Sequence, residues 1–201
     1  MKSKIKTYRM SISEYFPKTH KRAGEKTEFV EKIKIALKLS PCWDKSDIRS
    51  EHEVPKLHTI RQNHTNWKRK IDDVVAGNAI LLLFSWSGIP YRSKQINLFV
   101  FAKNTYKIVN FLRQKFNSQK DSELLIVLKD EVEIGVQKLE IENPSKVLAP
   151  AIFAEEKDIG LQNYKKIAEN DGLTYEDWCE WFRNSDYSEP LAIIHFTKFR
   201  Y

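Results

Sequence analysis

The chain has 201 residues, of which 41% are hydrophobic, 30% charged and 12% aromatic. That balance suits one globular domain with elaborations and excludes a disordered chain, which would be poorer in apolar residues. The net charge of +7 is unevenly placed: residues 1–70 hold 18 Lys/Arg against 8 Asp/Glu, a balance of +10, while the rest sums to −3.

Such asymmetry suggests a phosphate-rich partner; a solvated Lys-rich face that binds nothing fits the charge equally well. No apolar run approaches the roughly 18 residues that a bilayer span needs, so no membrane partner is expected. Met1 to Met10 is basic without a following apolar stretch and does not read as a secretory signal. Cys42 and Cys179 match no zinc or redox spacing and read as reduced thiols of a cytoplasmic protein.

In chain order, residues 1–22 read as an irregular basic arm interrupted by Pro17. Phe29, Ile33, Ala36 and Leu37 share one face of a helix over Glu25 to Leu39, which Ser40-Pro41 stops. Residues 41–55 are loop-like, and Pro55 to Arg61 is a short strand. Asn63 to Ala76 is a helix around Trp67, Ile71, Val74 and Val75, ended by Gly77. Ala79 to Trp86 is an almost continuous apolar strand, Ser87-Gly88-Ile89-Pro90 a turn, and Tyr91 to Phe101 the return strand. A helix over Asn104 to Phe116 and a strand pair, Leu124 to Leu128 with Val132 to Ile141, come next. Gly160 to Glu169 is a short helix. Thr174 opens another with Asp177 completing its cap, and Trp178, Trp181 and Phe182 form that helix's core seam. Leu191 to Phe199 closes the chain as a strand. Strands predominate without a visible βαβ series, which argues for an α+β fold with a mixed sheet or barrel.

The segment Lys56-Leu57-His58-Thr59-Ile60-Arg61 is followed by a helix, Gly77 and the strand Ala79–Trp86, with Ala192-Ile193-Ile194-His195-Phe196 near the end. This order resembles the ASCH domain, a branch of the PUA-like superfamily, in which a K-x-x-T-I-R segment precedes a Gly-Asp turn and a hydrophobic strand. The resemblance implies a small mixed β-barrel with flanking helices over residues 25–201, a basic arm over 1–24 and an inserted helix-hairpin segment at about 102–135. It also implies a cleft beside the motif strand and binding of RNA or a modified nucleoside. One compact bacterial type in that family is an amidohydrolase that removes an acyl group from the exocyclic amine of cytidine. Similarity to them makes Lys56, Thr59 and Glu169 the catalytic candidates. Asn78 stands where the family has an acid, and this chain is much the longer.

Amide hydrolysis needs a nucleophile, a base that activates it and an acid for the leaving amine. The Thr59 hydroxyl is inert unless a neighbour takes its proton, and Lys56 can do so only with a lowered pKa. Glu169 is the candidate acid, and Arg61 is a candidate for gripping a phosphate or carbonyl. In a regular strand Thr59 and Arg61 share a face and Lys56 points away, so the trio requires Lys56 to sit in a bend after Pro55. Plainer roles compete: Thr59 as an ordinary strand residue, Arg61 in a structural ion pair, Glu169 solvated in a polar turn.

Tyr91, Arg92, Lys94 and Gln95, after the Ser87–Pro90 turn, are further ligand-binding candidates. Tyr91 suits base stacking, the cations suit phosphate and Gln95 suits a base edge, although an ordinary charged hairpin has the same composition. His52, His58 and His64 recur every six residues, which is no ligand spacing, and neither metal nor cofactor is expected. Three functions remain: an RNA- or nucleoside-binding domain, an acylcytidine amidohydrolase, and a protein-interaction module of a mobile element that works through the insertion.

Overall fold

The computed structural model describes residues 4–38, 54–116, 124–142, 151–155, 157–158 and 164–201. Its described elements are β1 (Lys6–Ser11), α1 (Phe29–Ala36), β2 (His58–Arg61), α2 (His64–Val75), β3 (Ala79–Trp86), β4 (Gln95–Lys103), α3 (Tyr106–Phe116), β5 (Leu125–Lys129), β6 (Gly135–Glu142), β7 (Ala151–Ala154), β8 (Lys157–Asp158), α4 (Tyr164–Asn170), α5 (Tyr175–Phe182) and β9 (Leu191–His195). This is the expected α+β composition. The chain divides into two compact units, residues 1–13 with 69–134 and residues 14–68 with 135–201.

The first unit holds a four-stranded sheet in the order β1-β3-β4-β5. β3 is central, and its apolar run is buried from Ala79 to Ser85, as a strand covered on both faces must be. Gly77 turns the chain from α2 into β3 at φ +77, a left-handed conformation that glycine takes without a Cβ clash. β4 returns antiparallel, with the register shifting between Leu83 and Phe84. α3 then lays Ile108 and Leu112 against Ile80, Leu82, Val100 and Ala102. Its amphipathic face requires the chain to cross the sheet before pairing again, so β5 runs parallel to β4.

Three expectations change here. The segment read as an irregular arm contains β1, parallel to β3 from Lys6↔Ala79 to Ser11↔Phe84. A βαβ unit, β4-α3-β5, is present. The two strands read as a pair belong to different sheets, because β5 pairs with β4 while β6 pairs with β7 and β9. Periodicity reports which residues of a strand face inward, not which strand lies beside it.

The second unit holds a five-stranded antiparallel sheet in the order β2-β9-β6-β7-β8. β9 lies between β2 and β6 and is buried along its length. α5 starts as expected: the Thr174 hydroxyl accepts the Asp177 N–H at 3.1 Å. Trp178 and Phe182 are buried, and Trp181 packs against the rings of Phe16 and Phe29.

Neither sheet closes on itself among the described residues. Closure would require the outer strands, β1 with β5 or β2 with β8, to pair, and they do not. Two open sheets therefore stand where a small barrel was expected. No described helix is long and apolar enough to cross a membrane.

Candidate functional site

The motif segment lies in the second unit, and its first residue precedes β2. The Lys56 N–H donates to Lys32 O at 3.0 Å, and the Leu57 N–H donates to Asn170 O at 2.8 Å. Lys56 therefore lies outside the strand alternation, as the trio required. Its side chain is 1% exposed. The ammonium donates to the carboxylate and the main-chain oxygen of Asp171, and sits 4.1 Å from the centre of the Phe29 ring. Gly172, at φ +79, brings the backbone close: a Cβ there would meet Lys56 Cβ at 3.3 Å and Lys32 Cδ at 3.4 Å.

Burial pushes both members of this pair toward neutrality. Lys56 is lowered to about 8, first by desolvation and then by Arg61 and Lys32, against the pull of Asp171. Asp171 is raised by desolvation, against Lys56 and Arg61. Thr59 is buried on β2, and its hydroxyl accepts from Arg61 Nη1 at 2.8 Å. The same nitrogen donates to Ile60 O at 2.8 Å, and burial lowers the guanidinium's pKa.

By alternation, His58 lies on the opposite face of β2 from Thr59 and Arg61, and pairs in register with His195. Both imidazoles are fully buried. His58 is held well below the usual histidine range by desolvation, then by His195 and Lys56. His195 is lowered to about 3, by desolvation and then Arg200. His58 Nε2 lies 2.7 Å from the Tyr201 hydroxyl, which also accepts from Asn170 Nδ2 at 2.9 Å. The other ring nitrogen of His58, Nδ1, lies 4.0 Å from the Asp171 carboxylate.

Glu169 is not the carboxylate against Lys56. Its side chain is exposed and lines a cavity of about 520 Å³ with Phe16, Lys32, Gly172 and Tyr175, among others. Lys56, Thr59 and Asp171 are not in that lining. Asp171, two residues on, takes the position given to Glu169. The acid-rich run Glu169-Asn170-Asp171-Gly172 carries the signal, but only the turn at the end of α4 shows which carboxylate faces inward.

Tyr91, Arg92, Lys94 and Gln95 belong to the first unit. Tyr91 is 90% exposed at φ 64, with its ring 5.3 Å from that of Trp86, which lies 5.5 Å from Phe84. The Arg9 guanidinium stands 4.8 Å over Phe84 and donates to Gln95 Oε1 at 2.6 Å and to Asn97 Oδ1 at 3.2 Å. Arg92 and Lys94 are exposed. Arg9 escapes a sequence reading because β1 does not read as a strand, and Phe84 and Asn97 because nothing local shows that Arg9 lies beside them. The 95/97 spacing on β4 is the one signal that places Gln95 and Asn97 on a shared face.

The insertion packs most of its apolar residues into the first unit, leaving Tyr106 and Ile126 as its exposed large apolar side chains among the described residues. No group of three or more His, Cys, Asp or Glu could hold a metal ion among the described residues, and His52 and Cys42 lie outside them. No family model, curated protein or solved structure matches the chain.

Proposed function

We propose that this chain is an ASCH-type, PUA-like protein that binds single-stranded RNA or a modified nucleoside. The observation that carries the reading is the Phe84–Trp86–Tyr91 ladder in the first unit, with Arg9, Gln95 and Asn97 beside it. An exposed ring held at a tilt against a second ring offers its free face to a base, because every base has a π face. The carboxamides suit a base edge, and Arg92 and Lys94 suit phosphate. The test is fluorescence anisotropy with a short single-stranded RNA across a salt series, comparing the native chain with Tyr91→Ala. Loss of one stacked base should weaken binding about tenfold to a hundredfold, on the order of 1–3 kcal/mol. Binding that ignores both salt and Tyr91 would sink the proposal.

A second reading, hydrolysis of an acylated cytidine amine, is favoured by Lys56 held at about 8 beside a buried acid. Neutral Lys56 would take the Thr59 proton as the hydroxyl attacks the acyl carbon. Protonated Asp171 would give its proton to the leaving amine; water would then release the acyl group from Thr59 as the free acid and restore the hydroxyl, and Lys56 would return its proton to Asp171. Chromatography of N-acetylcytidine with the native chain, Lys56→Ala and Asp171→Asn tests it. Turnover unchanged in either variant counts against these roles.

A further inference from the structure

By strand alternation Thr7 and Arg9 lie on one face of β1, and their register partners on β3 are Ile80 and Leu82, which α3 covers. Lys115, in the last turn of α3, reaches back to this face. Its ammonium donates to Thr7 Oγ1 at 2.8 Å and lies 5.3 and 5.8 Å from the centres of the Phe111 and Phe116 rings. The Arg9 guanidinium is held through Nη2, which donates to both Gln95 Oε1 and Asn97 Oδ1, while the Phe84 ring supports its face. Two cations are thus brought to one place from a strand and a helix.

Their partners are all neutral: two carboxamides, a hydroxyl and aromatic rings. Neither cation meets a carboxylate among the described residues. The opposite face of β1 is built differently, since Lys6 and Tyr8 both meet the carboxylate of Asp73. Burial lowers the pKa of Arg9 and of Lys115, and Arg9 lowers that of Lys115 further, so the two charges stand close enough to repel. Exposed cations that bind nothing swing apart in water, where the repulsion falls. These two are instead fixed by hydrogen bonds that bring no compensating charge.

The donors left over are those of an anion site. Arg9 Nε and Nη1 and the remaining ammonium protons of Lys115 have no acceptor among the described residues. A carboxylate or a phosphodiester carries one negative charge and leaves one cation unanswered. A phosphate monoester carries about −1.5 to −2 at neutral pH on three terminal oxygens, and answers both. We infer that Arg9 and Lys115, backed by Thr7, form a site for a phosphate monoester where the last turn of α3 meets β1. This site goes beyond the RNA reading and does not rest on it. The ester can come from the phosphorylated end of a strand or from a small phosphorylated molecule, and the recognition chemistry is the same.

The probes are glycerol 3-phosphate, dimethyl phosphate and one short single-stranded RNA made with a 5′-phosphate, with a 3′-phosphate or with hydroxyls at both ends. Each is titrated into the native chain, Lys115→Gln and Lys107→Gln. Both lysines are exposed on α3, and Lys107→Gln removes the same charge about two turns away. In the native chain glycerol 3-phosphate should bind about tenfold more tightly than dimethyl phosphate, or an end-phosphorylated RNA about tenfold more tightly than its hydroxyl form. Lys115→Gln should abolish that preference and Lys107→Gln should keep it. A preference shown by glycerol 3-phosphate assigns the site to small phosphorylated molecules, and one shown only by the RNA ends assigns it to a strand terminus. No preference with either kind of probe overturns the site. So does a preference that Lys115→Gln leaves intact, or one that both lysine variants lose equally, which is general charge alone. Tyr91→Ala separates this site from the platform: RNA binding that needs Tyr91, without any monoester preference, sinks the site alone. A monoester preference with RNA binding indifferent to Tyr91 sinks the platform and keeps the site.

Discussion

Lys56 gives the protein a stability that should rise with pH on the alkaline side of neutrality. Its ammonium is lowered from 10.5 to about 8 in the folded chain. Between those values the unfolded chain holds a proton on Lys56 that the folded chain has released. Unfolding then takes up a proton, so the folded state gains stability as pH rises. Below the folded value both states are protonated and the folded state bears the full cost of a buried charge. From about pH 7 to about pH 9.5 the recovered stability is about 2 kcal/mol. Stopping at about pH 9.5 keeps Tyr201, which burial holds above the usual tyrosine range, out of the window.

Urea denaturation across this range measures the effect, and a slope of about 2 kcal/mol per molar puts the midpoint shift near 1 M. Other lysines titrate in the same region, so the control is Lys56→Met, in which the rise should disappear. Without its cation, Asp171 is pushed further toward the neutral acid, and the variant should be flat or fall with pH. A native chain with no rise, or a Lys56→Met chain with the same rise, would refute the assignment of a charge-averse site to Lys56.

Thr174→Ala removes the hydroxyl that caps α5 and should cost about 1 kcal/mol, seen as a lower thermal midpoint. Gly172→Ala combines a left-handed backbone with a Cβ at 3.3 Å from Lys56, and should cost at least about 1–2 kcal/mol. It should also flatten the pH dependence above, since the new methyl group pushes on Lys56 itself. A Gly172→Ala chain as stable as the native one would show that the contact relaxes freely.

Much of the second unit's local structure is legible in the sequence. The Thr174 cap, the apolar strand β9 and the bend that frees Lys56 from strand alternation all follow from neighbouring residues. The first unit is less legible. β1, Lys6-Thr7-Tyr8-Arg9-Met10-Ser11, carries charged and hydroxyl side chains because it is an edge strand, and charge blunts an edge. That same charge makes it read as an arm. β5 lies close in sequence to β6, as a hairpin partner would, yet the apolar face of α3 commits it to β4. At the site, the segment Lys56–Arg61 is legible in the sequence, whereas the carboxylate that meets Lys56 is Asp171, two residues beyond Glu169, and only the turn after α4 shows it. His195 and Tyr201 escape a sequence reading, because a histidine in an apolar strand and an aromatic at a strand's end look like core.

The distribution of buried polar side chains argues that this region is more than packing. Among the described residues, the buried polar residues of the second unit are His20, Thr27, Lys56, His58, Thr59, Gln137, Asp171, Asp177 and His195. His20 and Asp177 are tied to one another, and Arg22 and Lys21 reach Asp177 from the surface. Six of the others, all but Thr27, gather at β2, β9, β6 and the end of α4. A core chosen for stability alone would not gather them there. An apolar set of similar volume in place of a buried ion pair is often neutral or stabilising by 1–4 kcal/mol, on the order of a sizeable share of a domain's net stability. Unpaired imidazole nitrogens add a further cost. A sequence that is locally consistent elsewhere and concentrates its expensive groups at one place is behaving as sequences do where a ligand is held or a proton is moved. The cost gathers around β2: Thr59 lies on one face, His58 on the other with His195 and Tyr201 beside it, and the Lys56–Asp171 pair just before the strand. Asp171 is the residue that joins Lys56 to the histidines, ion-paired to Lys56 and facing His58 Nδ1 at 4.0 Å. A proton shared between Lys56 and the histidine cluster would have to pass by that carboxylate.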